Sequence, residues 1–211
     1  LHSSLTMTNN TTGFPHLMIG TLKEQRFGDF SYNIRYNFSK LDKTIGNPYF
    51  TSIIGVFTFH SNPNITLGLS RSYISGGIPT DRSFTTKDAA LIVFEDLLID
   101  TKIRNYPEDW EEHDPWDQVM SGFLMFEFLE SKLRIYGEFG TNDHRQNLSD
   151  FRAQPEHASA YLLGMRKYGF FNNNNLLLGF EYANLVLGKF WKFRPTPNWY
   201  NKPDYDYSSY D

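Results

Sequence analysis

The chain has no cysteine. That absence excludes a disulfide framework, a Cys-based zinc site and a thiol nucleophile. No apolar run reaches the ~20 residues that a helix needs to span a bilayer. Charge is sparse, with 21% charged residues and a formal net charge of −4. Nothing here builds the basic face that a nucleic-acid partner requires, so none is expected. A Ser-centred nucleophile elbow, a phosphate-binding Gly loop and a dinucleotide fingerprint are all missing. Gly76-Gly77 after Ser75 is only a turn. No cofactor is expected.

Aromatic residues are plentiful, with 13 Tyr and 19 Phe among 211 residues. The length suits one domain, 1–211. Leu1 begins the sequence with no charged n-region and apolar h-region behind it, and Tyr207–Asp211 is polar. The chain therefore reads as a fragment or processed form.

Phe30, Tyr32, Ile34, Tyr36 and Phe38 alternate with Ser31, Asn33, Arg35, Asn37 and Ser39. Strict alternation is the signature of a strand with one greasy face and one polar face. The pattern recurs in Leu133–Phe139, in Leu176–Tyr182 and in Ile65–Leu69. It predicts eight antiparallel strands in meander order, near 16–25, 30–40, 49–60, 64–73, 117–129, 132–140, 158–168 and 176–188. Tyr32, Ile34, Tyr36, Ile135, Leu178 and Phe180 are expected on one face. Arg35, Arg134, Glu138 and Glu181 are expected on the other.

The links alternate short and long. Ser61-Asn-Pro63, Leu129-Glu-Ser131 and the turn Tyr168–Asn175 are short, whereas 74–116 and Thr141–His157 are long. Sorted loops, strands near ~10 residues and aromatics at strand ends fit an outer-membrane barrel. The fold class expected is all-β: an antiparallel meander, part of a large transmembrane outer-membrane β-barrel. A water-facing sandwich shares the same period. Thr86–Asp100 breaks the pattern, with apolar residues at helical spacing, and predicts a short amphipathic helix in the longest loop. The Pro-rich tail from Phe193 favours extended loop.

The chemistry-bearing residues gather in the long loops. His144 and His157 lie thirteen positions apart, without a compact metal-ligand spacing, so no metal site is assigned. Glu138, Asp143 and Glu156 could make a glycosidase acid and base only at a carboxyl separation that sequence cannot supply. Arg71 ends a strand beside Tyr73; it pairs with a carboxylate or offers a planar donor fork to an acidic ligand. Aromatic, amide and charged side chains together suit sugar rings and hydroxyls. The candidate carbohydrate-binding set is Arg71, Trp110, Trp116, Asp143, His144, Arg145 and His157.

Three blocks carry a resemblance. Leu67-Gly-Leu-Ser-Arg-Ser-Tyr-Ile-Ser-Gly-Gly77, Tyr136-Gly-Glu-Phe-Gly-Thr-Asn-Asp-His144 and Asp150-Phe151 with Pro155-Glu-His-Ala-Ser-Ala-Tyr-Leu-Leu-Gly164 resemble the capsule assembly protein (Wzi) family. The likeness runs from about Phe30 onward, and Tyr136–Lys167 is its most specific part. It implies a non-enzymatic outer-membrane barrel that holds or assembles capsular polysaccharide on a bacterial surface. Capsular or extracellular polysaccharide and outer-membrane lipid are the partners it implies. The alternative expectation is a secreted β-rich enzyme acting on polysaccharide, with Glu138 paired to Asp143 or Glu156.

Overall fold

A strand whose side chains alternate in polarity must show one face to each environment, and neighbours joined by short turns must run antiparallel. The computed structural model follows both rules. It describes residues 15–41, 47–76, 85–94, 116–142, 159–170 and 173–185. These form one nine-stranded sheet. Its strands are β1 (Leu17–Gly20), β2 (Gln25–Phe27), β3 (Phe30–Lys40), β4 (Tyr49–Phe59), β5 (Asn64–Ser75), β6 (Trp116–Phe128), β7 (Leu133–Asn142), β8 (Ser159–Phe170) and β9 (Asn173–Leu185). From β3 to β9 every strand pairs antiparallel with the next in sequence. The meander and its order are as the alternation predicts.

Three boundaries differ. The first expected strand is two pieces, β1 and β2, both paired to β3. Between them Thr21 binds the backbone of Ile34 twice, with its N–H donating to Ile34 O at 2.9 Å and its Oγ1 accepting from Ile34 N at 3.0 Å. That local bonding interrupts the ladder. The Gly/Asn turn after β8 is shorter than expected. Gly169, at φ +71°, absorbs a register shift, and Phe170 still pairs with Asn173. The helix α1 is Thr86–Leu91, followed by a 3-10 turn, Ile92–Phe94. The rest of the expected 86–100 span lies outside the described residues.

The expectation of a closed barrel is corrected. β1 pairs with β3 alone and β9 with β8 alone among the described residues, so the sheet is open at both edges. An open sheet cannot span a bilayer, because hydrocarbon leaves the N–H and C=O groups of its edges unsatisfied. The outer-membrane location, expected from the loop sorting, the strand lengths and the resemblance, requires a closed barrel and is corrected with it. Alternation and loop sorting are the same in open and closed meanders; closure depends on whether first and last strands meet. Separately, no helix among the described residues is long and apolar enough to cross a membrane.

Candidate functional site

Directly paired residues share a face, so the registers fix the facing of every strand. One row runs Phe30, Phe59, Ile65, Phe126, Ile135, Met165 and Phe180. The next runs Tyr32, Phe57, Leu67, Leu124, Gly137, Leu163 and Tyr182. A third runs Ile34, Gly55, Leu69, Gly122, Phe139, Tyr161 and Asn184. These three rows hold no charged residue. Leu67, Leu69, Leu163 and Phe180 are 44%, 53%, 55% and 62% exposed. A sheet facing water buries such side chains; this one displays them.

The other face is the reverse. Ser31, Ser52, Thr66 and Glu138 are buried there, although their own chemistry is polar. Asn37 donates to Ser52 Oγ at 3.0 Å, Ser70 and Ser121 share a hydrogen bond at 2.9 Å, and Thr58 meets Thr66 at 3.2 Å. Arg134 pairs with Glu127, and Arg166 lies 3.7 Å from Glu181. Tyr136 crosses over Gly164, which has no side chain to obstruct it, and its hydroxyl donates to Glu181 Oε1. Apolar and polar sets therefore point to opposite faces as the sequence predicts; of the polar set Glu138 is buried, while Arg35, Arg134 and Glu181 are exposed.

Burial holds the Tyr136 hydroxyl well above its ordinary value of 10, and the Glu181 hydrogen bond and charge push it the same way. The folded state thus keeps this proton at a pH where the unfolded chain gives it up. Stability from this group is full below pH 10 and declines as pH rises beyond it. Urea midpoints measured from pH 8 to pH 11 are expected to fall less steeply for Tyr136→Phe than for wild type. Equal slopes would count against the Tyr136–Glu181 geometry.

At the long-loop end the apolar face changes character. Thr85 caps α1 with a reciprocal capping box to Asp88. A six-residue helix is too short to persist alone, so the sheet must hold it. Tyr36 Oη donates to Ala90 O at 2.9 Å and Thr51 Oγ1 to Ala89 O at 2.7 Å. Arg71 Nη1 donates to Val93 O at 3.3 Å. Ile92 and Val93 are buried against Tyr73, with Tyr36, Ile53, Phe94 and Trp116 around them. Thr85→Ala is expected to cost about 1 kcal/mol by removing the cap. Trp116, packed in that cluster, should then show red-shifted fluorescence; an unchanged spectrum and midpoint would show that the cap does not secure the helix.

Arg71 and Trp116 of the candidate carbohydrate set sit here. Arg71 is buried, with a carbonyl, the Tyr73 phenol and the Gln118 amide as partners, and its Nη2 donates to Gln118 Oε1 at 3.2 Å. Its guanidinium pins the 3-10 turn after α1 to the sheet rather than presenting a fork to solvent. Trp116 is half-buried against the same Tyr73, Ile92 and Val93 cluster. Trp110, Asp143, His144, Arg145 and His157 lie outside the described residues, as does Glu156. Glu138, the remaining carboxylate of the enzyme alternative, is buried on the inner face.

One constellation escaped the sequence reading. Ser31 Oγ lies 2.8 Å from His60 Nε2 and donates to Glu24 Oε1. A Ser, a His and a carboxylate suggest nucleophilic catalysis, but the wiring differs. In a working triad the carboxylate holds the imidazole's far nitrogen. Here Glu24 and His60 both meet the same hydroxyl, and His60 Nε2 lies 3.8 Å from Glu24. The hydroxyl's one proton goes to Glu24, so it is not also handed to His60 Nε2 as a catalytic base would require. Ser31 is also fully buried. The group fastens the β1–β2 segment and the end of β4 to β3. Nothing local in sequence marks it, since the three residues meet only through strand register. Among the described residues no cluster of His, Asp and Glu has the size of a metal site.

The capsule-assembly and carbohydrate-binding role is corrected along with the barrel. Its two described residues serve internal packing, and no family model, curated protein or solved structure matches this chain to carry that role over.

Proposed function

We propose that this chain is a non-catalytic, lipid-facing sheet whose apolar face lies against the acyl region of a lipid surface. The observation that carries this reading is the inverted sheet: uncharged apolar rows exposed on one face and buried Ser, Thr, Glu and Tyr on the other. The uncharged rows extend across seven strands, β3 to β9. Three rows two residues apart, with their margins, extend about 20 Å along the strands. Contiguous apolar surface on this scale marks an interaction site.

Lipid suits this face better than a protein partner does. A protein interface carries about one hydrogen bond per 100–200 Å² and a polar rim. In the three rows Asn184 is the one amide, and the remaining polar groups are tyrosine hydroxyls. The three rows carry no basic residue to seek anionic headgroups, so binding through this face should rest on apolar area.

Vesicle flotation tests the proposal. The full chain is expected to float with neutral phosphatidylcholine vesicles, with similar recovery at about 0.1 M and 1 M salt, because screening weakens only charge attraction. A chain that stays in the aqueous fraction as a dispersed species would sink the reading. Binding that needs anionic lipid and vanishes in high salt would sink it too.

A further inference from the structure

The edge strand β9 is unlike the strands it follows. On β8 the inner-face Leu162 is buried, flanked by β7 and β9. On β9 the inner-face Leu177 and Leu185 are 46% and 42% exposed. Apolar side chains on the otherwise polar inner face are thus left open at this edge. β9 is also long and regular, Asn173–Leu185, with no Pro, no Lys and no Arg. Edge strands that must stay single are shortened, charged or broken. The opposite edge is broken, into β1 and β2. Among the described residues β9 has Glu181 alone as such protection, and that carboxylate is held inward by Tyr136 and Arg166.

We propose that β9 pairs antiparallel, edge to edge, with β9 of a second copy of this chain. The sequence of the strand is self-complementary in that arrangement. A two-fold axis through Gly179, the midpoint of Asn173–Leu185, pairs the strand over its full length. On the apolar face Leu178 then meets Phe180 of the second copy and Leu176 meets Tyr182, which continues the apolar rows across the junction. On the inner face Leu177 meets Glu181, so the strand's one charged residue never faces its own twin. The junction also satisfies the outward N–H and C=O groups of both edges. It runs at right angles to the apolar face and does not depend on what that face meets.

The absence of cysteine makes a clean test. A Cβ at position 179 would lie 3.9 Å from Arg166 Cγ, an ordinary contact, so Gly179→Cys fits. In the proposed pair the two introduced thiols are directly opposed, at a Cα separation of about 4.5–5.5 Å that a disulfide spans. Mild oxidation of the full chain in neutral detergent micelles is expected to cross-link Gly179→Cys into dimers. Leu177→Cys, roughly 14 Å from its twin in this register, is expected not to cross-link. Leu177→Glu sets like charges opposite Glu181 twice per dimer and should weaken association about tenfold by sedimentation. Leu177→Lys should keep the dimer, which separates charge pairing from a general loss of folding. The proposal is overturned by a monomeric wild type, by equal cross-linking at 177 and 179, or by Leu177→Glu and Leu177→Lys acting alike. A monomer that instead takes up a strand from another protein at β9 overturns it as well.

Discussion

The double variant Leu67→Asp/Leu163→Asp is expected to abolish flotation with neutral vesicles. Both side chains lie in the central apolar row and are about half exposed, at 44% and 55%. Covering the rest of each leucine with lipid is worth about 1 kcal/mol. A carboxylate there loses that gain and must also be withdrawn from water or keep the sheet away from the acyl region. The combined loss is about 3 kcal/mol, roughly a hundredfold in partition. Arg35→Asp is the matched control. It changes net charge by the same −2, and Arg35 is exposed on the opposite face. Flotation within about twofold of wild type is expected for it. If the leucine pair floats normally, or if Arg35→Asp fails as badly, the apolar face is not the lipid-contacting surface.

Parity made that face readable before any coordinates. Tyr32, Ile34 and Tyr36 against Arg35, or Ile135 against Arg134 and Glu138, need only the two-residue period of a strand. Turn chemistry gave the meander, because Leu129–Ser131 and Ser61–Pro63 are too short for anything but antiparallel neighbours. What parity cannot give is which strands stand at the edges. A residue's face is a local property; closure is a property of β1 and β9 together. The sites of chemistry were less legible still. Arg71 reads in sequence as a donor at a strand end, yet the 3-10 turn after α1 folds over it, a contact that joins positions 71 and 93. Ser31 meets His60 across the β3–β4 register and Glu24 across the β2–β3 register, with no spacing signal in any one segment.

The polar face yields the largest expected loss of stability. Gly164→Ala places a Cβ 2.2 Å from the Tyr136 ring, a distance that no adjustment of a few tenths of an ångström relieves. Tyr136 is 4% exposed and packs with Ala160 and Leu162, so the ring has little room to retreat. Overpacking of this kind costs about 1–3 kcal/mol. Displacing the ring also breaks its hydrogen bond to the Glu181 carboxylate, a charged-acceptor bond worth about 1.5–3 kcal/mol. The expected total is about 3–5 kcal/mol, read as a drop in the urea midpoint. A double-mutant cycle separates the parts. In a Tyr136→Phe background the hydrogen bond is already gone, so Gly164→Ala should cost only the overpacking share. In a Tyr136→Ala background nothing remains to strike the new methyl group, and the same substitution should be close to neutral. Gly28→Ala gives a comparison of another kind: φ is +61° with no atom within 4 Å of the added carbon, so its cost is backbone strain alone, about 1 kcal/mol. If Gly164→Ala unfolds at the wild-type midpoint, or costs as much in the Tyr136→Ala background as in wild type, then Tyr136 does not lie across Gly164 and the inner face is packed in some other way.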